Sequence, residues 1–366
     1  MNQRNLLILF VALGLAALTA WLLSQEDPAS LGEGDPLMPG LPTALNSVTS
    51  VTVRRAGNDT VASLRRNDSG WVVTDRDDYP ADFARVRQNL LGLAEAQIFE
   101  AKTANAEFYE RLGVRDIADA EATGTELDIQ APEYNARIIV GRTDEGGGSL
   151  AYVRRAGEAQ GYLVTASLDP GSSAADWLDT KIIDLPSTRV RSVQIRHPGG
   201  EILAIAKPRS ESTNYTVADV PDGRSLTYEG AANAIGAALA GLNLDDVEPA
   251  QGFDAGGNEP TVASYETFDG LIVEVRTWQL EDRSVQAFSA AVTVPDPEAD
   301  AARDDADQGD DDATDADGPT DAEALARLQE EADTINARLN GWIYVLPSFK
   351  AEQFTRRMDD LLAAPE

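Results

Sequence analysis

The sequence predicts an α+β protein: an N-terminal transmembrane helix followed by two tandem copies of a mainly antiparallel strand-strand-strand-helix-strands unit. Three observations predict this architecture. An uncharged apolar run, Leu6–Leu23, lies near the start of the chain. Later segments alternate between apolar and polar residues, as half-buried strands do, and they recur in matching pairs. Short connections that carry glycine, such as Asp269-Gly270, favour antiparallel hairpins over parallel crossovers.

The run Leu6–Leu23 has a length that can span a bilayer, for which about 17–25 apolar residues are needed. Arg4 precedes it and Glu26 follows it, so the positive-inside rule predicts a cytoplasmic N-terminus. The body is then expected in the periplasm, anchored in the inner membrane, with the lipid bilayer contacted through residues 6–23. A cleaved signal peptide is the alternative, but bulky Trp21-Leu22-Leu23 stands where a peptidase needs small residues.

The body contains an internal repeat. Val48–Val53 and Val190–Ile195 alternate in the same way, and each is followed by short strands and then a predicted helix. Four apolar residues at spacings of three, four and three lie on one face of each helix. They are Phe83, Val86, Leu90 and Leu93 in the first copy and Ala232, Ile235, Leu239 and Leu242 in the second. Strands then resume, with Ile138–Thr143 matching Ile272–Thr277.

These patterns divide the chain into four segments. Residues 1–25 are the cytoplasmic tip and anchor, 26–46 a flexible tether, 47–185 the first α+β copy and 186–366 the second copy. The second copy carries an acidic disordered insertion at about 295–333, because 16 acids crowd into Asp296–Asp333. Two further helices are predicted, one at Asn105–Leu112 that Gly113 ends, and a last one at about 349–362.

Composition excludes several classes of function. The net charge of -32 argues against nucleic-acid binding, because an acidic surface repels phosphate backbones. The absence of cysteine excludes disulfides, thiolate zinc sites, iron–sulfur clusters and a cysteine nucleophile. The acid run does not fit a calcium loop, since placing Gly309 or Gly318 at the glycine position puts alanine at required ligand positions.

No catalytic, cofactor-binding or metal-binding residue is predicted. The single histidine, His197, precedes Pro198-Gly199-Gly200, which is typical of a turn in solvent. Adjacent acids, such as Asp77-Asp78, point to different faces and do not converge as a catalytic pair must. The chain is therefore expected to be no enzyme and to use no cofactor. A hydrolase built from acids that are distant in sequence stays open as an alternative.

The order of anchor, tether, Val-x-x-Val-x-Val, Gly70–Val73, Phe108–Gly113 and Ile-Ile-Val-Gly resembles family 4340 of the domains of unknown function. The resemblance extends from about residue 47 to the C-terminus. It implies a bacterial envelope protein that is accessory to a gliding-motility-type ABC transporter, with the permease and the auxiliary subunit as partners. The alternative function is an envelope binding module for a polysaccharide, peptidoglycan or lipid.

Overall fold

The computed structural model describes residues 32–143, 149–281, 283–293 and 321–364. The predicted anchor, Leu6–Leu23, lies outside these residues. Within them, none of the helices combines the length and the apolar character needed to cross a membrane. The structure therefore does not support the predictions of a transmembrane helix, a single-pass protein and an inner-membrane location, and we do not retain them. At the far end of the predicted tether, Leu37, Met38 and Leu41 are buried and dock that end on the first unit.

The chain divides into two compact units, Met1–Trp177 and Leu178–Glu366. Each contains one large antiparallel sheet, so the predicted antiparallel pairing is retained. The predicted α+β class is wrong, because the described residues are mostly sheet and most of their helices are a single turn long. The helices are α1 (Leu41–Ala44), α2 (Phe83–Glu95), α3 (Tyr109–Leu112), α4 (Asn233–Gly236), α5 (Asp321–Leu339), α6 (Ser348–Ala351) and α7 (Met358–Leu361).

The first unit contains a nine-stranded sheet in the order β4-β3-β2-β1-β6-β7-β8-β9-β5. Its strands are β1 (Ser50–Arg55), β2 (Asp59–Asn67), β3 (Gly70–Val73), β4 (Tyr79–Pro80), β5 (Gln97–Thr103), β6 (Thr125–Ala131), β7 (Tyr134–Thr143), β8 (Leu150–Arg155) and β9 (Gly161–Thr165). Alternate residues of the central strands, such as Val51, Val53, Leu127 and Ile129, are buried in the core of this unit.

The second unit contains an eight-stranded sheet in the order β13-β12-β11-β16-β17-β18-β19-β15 and a two-stranded sheet of β10 and β14. Its strands are β10 (Lys181–Ile183), β11 (Val190–Arg196), β12 (Ile202–Ala206), β13 (Thr216–Val217), β14 (Leu242–Asn243), β15 (Asp246–Pro249), β16 (Thr261–Thr267), β17 (Leu271–Gln279), β18 (Ser284–Val292) and β19 (Trp342–Val345). Apart from the additional strand β4, this order repeats that of the first sheet strand by strand.

The strand pairing changes the predicted register of the repeat. Leu127 of β6 lies opposite Ile138 of β7, and Ala263 of β16 lies opposite Val275 of β17. Leu127 corresponds to Ala263, because these residues pair with Val53 and with its counterpart Ile195. Ile138 therefore corresponds to Val275, three positions beyond the predicted match to Ile272. Alternating apolar residues fix which face of a strand is buried, but they do not fix its register along the sheet.

Helix α2 lies with its apolar side in the core of the first unit. Val86, Leu90 and Leu93 are buried as predicted, whereas Phe83 is 63% exposed because the helix starts there. Asp82 caps this start, since its side chain accepts hydrogen bonds from the amides of the second and third helical residues. Such a cap contributes about 1 kcal/mol.

The segment that carries α3 packs against β7. Tyr109 and Val114 form a buried cluster with Ile139, which lies opposite Glu126 in the sheet. The cluster therefore lies on the same face of the sheet as the Glu126 side chain. A glycine is needed at position 124, because a Cβ there would lie 2.3 Å from a carbonyl oxygen of this segment. The segment thus helps to bury the outer face of the central strands.

Helix α5 includes residues 321–333, so the prediction of a disordered insertion is wrong for that part. The helix packs on β18, where the Asn336 side chain accepts from the Ala290 amide (2.8 Å) and donates to the Ala290 carbonyl (2.7 Å). Arg189 donates to both carboxylate oxygens of Glu331, at 2.6 and 2.7 Å. These contacts attach the helix to the second sheet.

Two predicted helices are shorter than expected. In the second copy only α4 forms, and it ends at Gly236, a residue that weakens helices. The Tyr215 ring packs against this glycine, where a Cβ would lie only 2.2 Å from the ring. The apolar residues predicted on that helix are still buried. The predicted C-terminal helix is divided into α6 and α7, with a 3-10 turn at Glu352–Phe354 between them. The predicted helix before Gly113 forms as a 3-10 turn followed by α3.

Candidate functional site

The first unit has an open pocket of about 550 Å³ over β1, β6 and β7, which we call the carboxylate pocket. Its lining residues are almost all charged or amide-bearing: Arg54, Asn58, Glu126, Asp128, Gln130, Asn135, Ala136 and Arg137. Alternation along β6 explains the composition. Leu127 and Ile129 face the core, so Glu126 and Asp128 face the other way and share one side of the sheet.

Both acids are buried although they line a pocket. Glu126 is 2% exposed and Asp128 is 9% exposed. The strand register places Arg54 opposite Glu126 and Arg137 opposite Asp128. Two guanidinium and two carboxylate groups therefore meet on three adjacent strands, and their formal charges cancel.

The four charges are not paired equally. Arg54 Nη1 lies 2.8 Å from Asp128 Oδ2, and Asp128 also accepts a hydrogen bond from Gln130. Glu126 Oε1 is only loosely paired, 3.4 Å from Arg54 Nη1 and 3.9 Å from Nη1 of Arg137, whose side chain is 55% exposed. Hydrogen bonding to Asp128 raises the pKa of Arg54 above its usual value. Asp128 thus holds Arg54, and Glu126 is left with weaker contacts.

Burial raises the pKa of Glu126 above the usual carboxyl value, and the attraction of Arg137 and Arg54 offsets only part of this effect. A carboxyl of this kind can accept a hydrogen bond when charged and donate one when protonated. The Asn135 side-chain amide donates to Gln130 Oε1 at 2.6 Å, so these two amide side chains extend the polar lining of the pocket. The pocket therefore presents donors and acceptors without a net charge.

A second pocket of about 670 Å³, which we call the arginine pocket, lies on the first unit at the ends of β1, β6 and β7. Its lining residues come from these strands, from the start of α2 and from the segment after β9: Arg55, Arg85, Thr123, Thr125, Val140, Gly141, Arg142, Thr143, Leu168, Asp169, Pro170, Gly171, Ser172 and Asp176. Asn89 of α2 holds that segment in place, because its side chain donates to the Asp169 carbonyl (2.8 Å) and accepts from the Asp169 amide (2.9 Å).

The two carboxylates of the arginine pocket are already engaged. Asp169 pairs with Arg85 at 2.9 Å. Asp176 accepts from the amides of Ser172 (2.6 Å) and Ser173 (2.9 Å). Burial alone would raise the pKa of Asp176, but these hydrogen bonds outweigh it and lower the pKa below its usual value. Asp176 therefore stays charged and bound to the backbone.

The structure corrects the interpretation of His197. The predicted turn forms, with a 2.9 Å hydrogen bond from the Gly200 amide to the His197 carbonyl, but the imidazole is buried and only 3% exposed. Its Nε2 lies 3.1 Å from the Arg356 carbonyl and its Nδ1 lies 3.4 Å from Thr261 Oγ1. The turn residues were recognisable in the sequence. The C-terminal segment that covers the ring was not.

Sequence reasoning missed Glu126, Asp128 and Arg54. The alternation of Thr-Glu-Leu-Asp-Ile-Gln was the available signal, since it places both acids on one face of a strand. Nothing in that pattern shows that the face is buried. Among the described residues, no group of three or more histidine, aspartate or glutamate side chains could hold a metal ion.

The described residues define a protein of two antiparallel-sheet units, the first of which carries two polar pockets. The family model described as a domain of unknown function, DUF4340, matches residues 71–261. This range is a little over half of the chain, and the chain therefore belongs to that family, as the resemblance predicted. No curated protein and no solved structure matches the chain. The match says nothing about a transporter, so that association stays a prediction.

Proposed function

We propose that the protein is a non-enzymatic binding protein, and that its carboxylate pocket holds a neutral, hydroxyl- or amide-rich ligand such as a polysaccharide or peptidoglycan segment. One observation carries the proposal: Glu126 is a buried carboxylate that lines an open pocket, and its nearest guanidinium atoms are 3.4 and 3.9 Å away. A buried, loosely paired carboxylate is costly. A ligand that hydrogen-bonds to it would offset that cost.

The second copy shows that the fold does not require these charges. Val53 of β1 pairs with Leu127, and Ile195 of β11 pairs with Ala263 in the same place of the second sheet. Counting along the paired strands, Val262 and Ser264 stand where the first copy has Glu126 and Asp128. Opposite Ser264 lies Glu274, where the first copy has Arg137. Arg196 stands where the first copy has Arg54, so the same ladder forms with an arginine at that place but without the two carboxylates.

The chemistry of the pocket favours a neutral polar ligand. Formal charges cancel, so neither an anion nor a cation gains from a net field. Paired carboxylate, guanidinium and amide groups offer hydrogen bonds in fixed directions, which suits hydroxyl and acetamido groups. The near absence of apolar side chains, with only Ala136 in the lining, argues against a lipid tail.

The test is calorimetric and NMR titration of the full chain with N-acetylglucosamine oligomers and with a neutral glucan. Glu126→Gln and Asn135→Ala should each weaken binding by about tenfold or more. The first replaces a charged acceptor oxygen with an amide donor, and the second removes the amide. Glu133→Gln is the matched control, an exposed acid in the turn between β6 and β7 outside the pocket lining. Equal binding by all variants, or no saturable binding to either sugar, would refute the proposal.

We also propose an accessory role beside an ABC transporter of the gliding-motility type. The resemblance drawn from the sequence implies it, although the family match itself names no transporter. Three exposed phenylalanines of the first unit also support it, Phe83 (63%), Phe99 (54%) and Phe108 (45%), because aromatic side chains are enriched where proteins meet. Crosslinking and mass spectrometry should recover the permease or the auxiliary subunit, and Phe83→Ser with Phe99→Ser should reduce the yield. Recovery of neither subunit would contradict this role.

A further inference from the structure

We infer that the arginine pocket is a second ligand site, which binds a small oxyanion: a phosphate, phosphate ester or sulfate group. Its chemistry differs from that of the carboxylate pocket, so the inference stands independently of the ligand proposed above. Three arginines and two aspartates line it, which leaves a formal charge of about +1 in a chain whose net charge is -32.

The positive charge is available because two of the arginines make no ion pair with any described residue. In the part of the chain that the structure describes, the guanidinium groups of Arg55 and Arg142 make no ion pair and no hydrogen bond. Arg85 is occupied by Asp169 at 2.9 Å. Guanidinium groups bind phosphate and sulfate oxygens through short, charge-assisted hydrogen bonds, often two at a time.

A threonine hydroxyl adds a donor to the same pocket. Thr125 is 5% exposed, and over the described ranges its hydroxyl has no hydrogen-bond partner. It lies at the start of β6, beside the end of β1 that carries Arg55, because Arg54 pairs with Glu126 one position along each strand. A hydroxyl that faces the pocket can donate a hydrogen bond to an oxyanion held by the neighbouring guanidinium groups.

The second copy closes the corresponding place with its own chain. The strand pairing that matches Val53 to Ile195 and Leu127 to Ala263 also matches Arg55 to His197 and Thr125 to Thr261. There the imidazole lies 3.4 Å from the Thr261 hydroxyl and 3.1 Å from the Arg356 carbonyl, and the histidine is 3% exposed. In the first copy the same corner of the fold is open and carries a permanent positive charge.

The test uses the full chain and inorganic phosphate or sulfate as probes, with ionic strength held constant by sodium chloride. Isothermal titration should show saturable binding that Arg142→Gln and Thr125→Val each weaken by about tenfold or more. Thr125→Val keeps the shape of the buried side chain, so it also separates loss of binding from loss of folding. Arg87→Gln on α2 is the matched control, an exposed arginine outside the pocket lining.

The outcomes are distinct. Tighter binding of glycerol 3-phosphate than of inorganic phosphate would identify an ester as the ligand, and equal binding would identify the free anion. The inference is overturned if Arg87→Gln weakens binding as much as Arg142→Gln does. It is also overturned if the wild-type protein binds neither phosphate nor sulfate at constant ionic strength. Any effect seen without that control would then come from general charge screening and not from a specific site.

Discussion

Arg54→Ala should destabilise the first unit strongly, because one guanidinium serves two buried carboxylates. Arg54 Nη1 lies 2.8 Å from Asp128 and 3.4 Å from Glu126, and the two acids are 9% and 2% exposed. Removing one partner of a buried ion pair costs about 3–5 kcal/mol. The Arg54 side chain is 28% exposed, so water can enter after truncation and the lower end, about 3 kcal/mol, is expected.

Arg137→Ala is the matched control, since it removes the second guanidinium from the same pocket. This side chain is 55% exposed and lies 3.9 Å from Glu126, so its loss should cost no more than about 1 kcal/mol. The two units of the chain could unfold separately. The measurement is therefore hydrogen exchange by mass spectrometry on the peptide that spans β6, combined with urea unfolding at neutral pH.

The loss in Arg54→Ala should shrink in acid. Without Arg54, burial keeps the pKa of Glu126 in the folded state above that in the unfolded state, where the usual value is 4.5. Glu126 of the folded variant then binds a proton more readily than it does in the unfolded chain, so stability rises as the pH falls through the raised pKa of Glu126 towards 4.5. A loss below about 1 kcal/mol, or one that does not change with pH, would refute this reasoning.

Two further predictions concern stability. Asn336→Ala should lower the free energy of unfolding by about 2 kcal/mol, because it leaves the amide and the carbonyl of Ala290 in β18 without their side-chain partners. Hydrogen-exchange protection of β18 measures this loss. The control is the exposed Gln329→Ala on the same helix, and an equal loss in both variants would contradict the prediction. Glu126→Gln should make the free energy of unfolding depend less on pH. In the wild type the raised pKa of Glu126 adds stability that is fully present below 4.5 and is lost as the pH rises through the folded-state pKa, whereas glutamine does not titrate. Parallel profiles for the two proteins would exclude that effect.

Alternation and helical spacing of apolar residues correctly predicted individual strands and one helix face. The alternation of Val48–Val53 and Val190–Ile195 identified β1 and β11, and Val86, Leu90 and Leu93 are buried at their predicted helical spacing. The prediction failed where a distant contact decides. The helix expected around Ile235 ends at Gly236, where the Tyr215 ring leaves no room for a Cβ, and apolar spacing alone cannot show that contact.

The candidate site was out of reach of the sequence for the same reason. Arg54 and Glu126 are separated by 72 residues, and only the pairing of β1 with β6 makes them neighbours. Burial of Glu126 depends on its central strand and on the α3 segment that packs on the same face. Prediction of the pocket therefore requires the strand order and register, which alternating hydrophobicity leaves open.

The two pockets are built from adjacent residues of the same two strands. Arg54 and Glu126 belong to the carboxylate pocket, whereas Arg55 and Thr125 belong to the arginine pocket. Neighbouring residues of a strand point to opposite faces, so the sheet itself separates the two sites. Both pockets are lined by β1, β6 and β7, so coupling between their ligands would pass through the pairing of these three strands. Charge changes in one pocket should therefore leave binding in the other largely intact, unless they disturb that pairing.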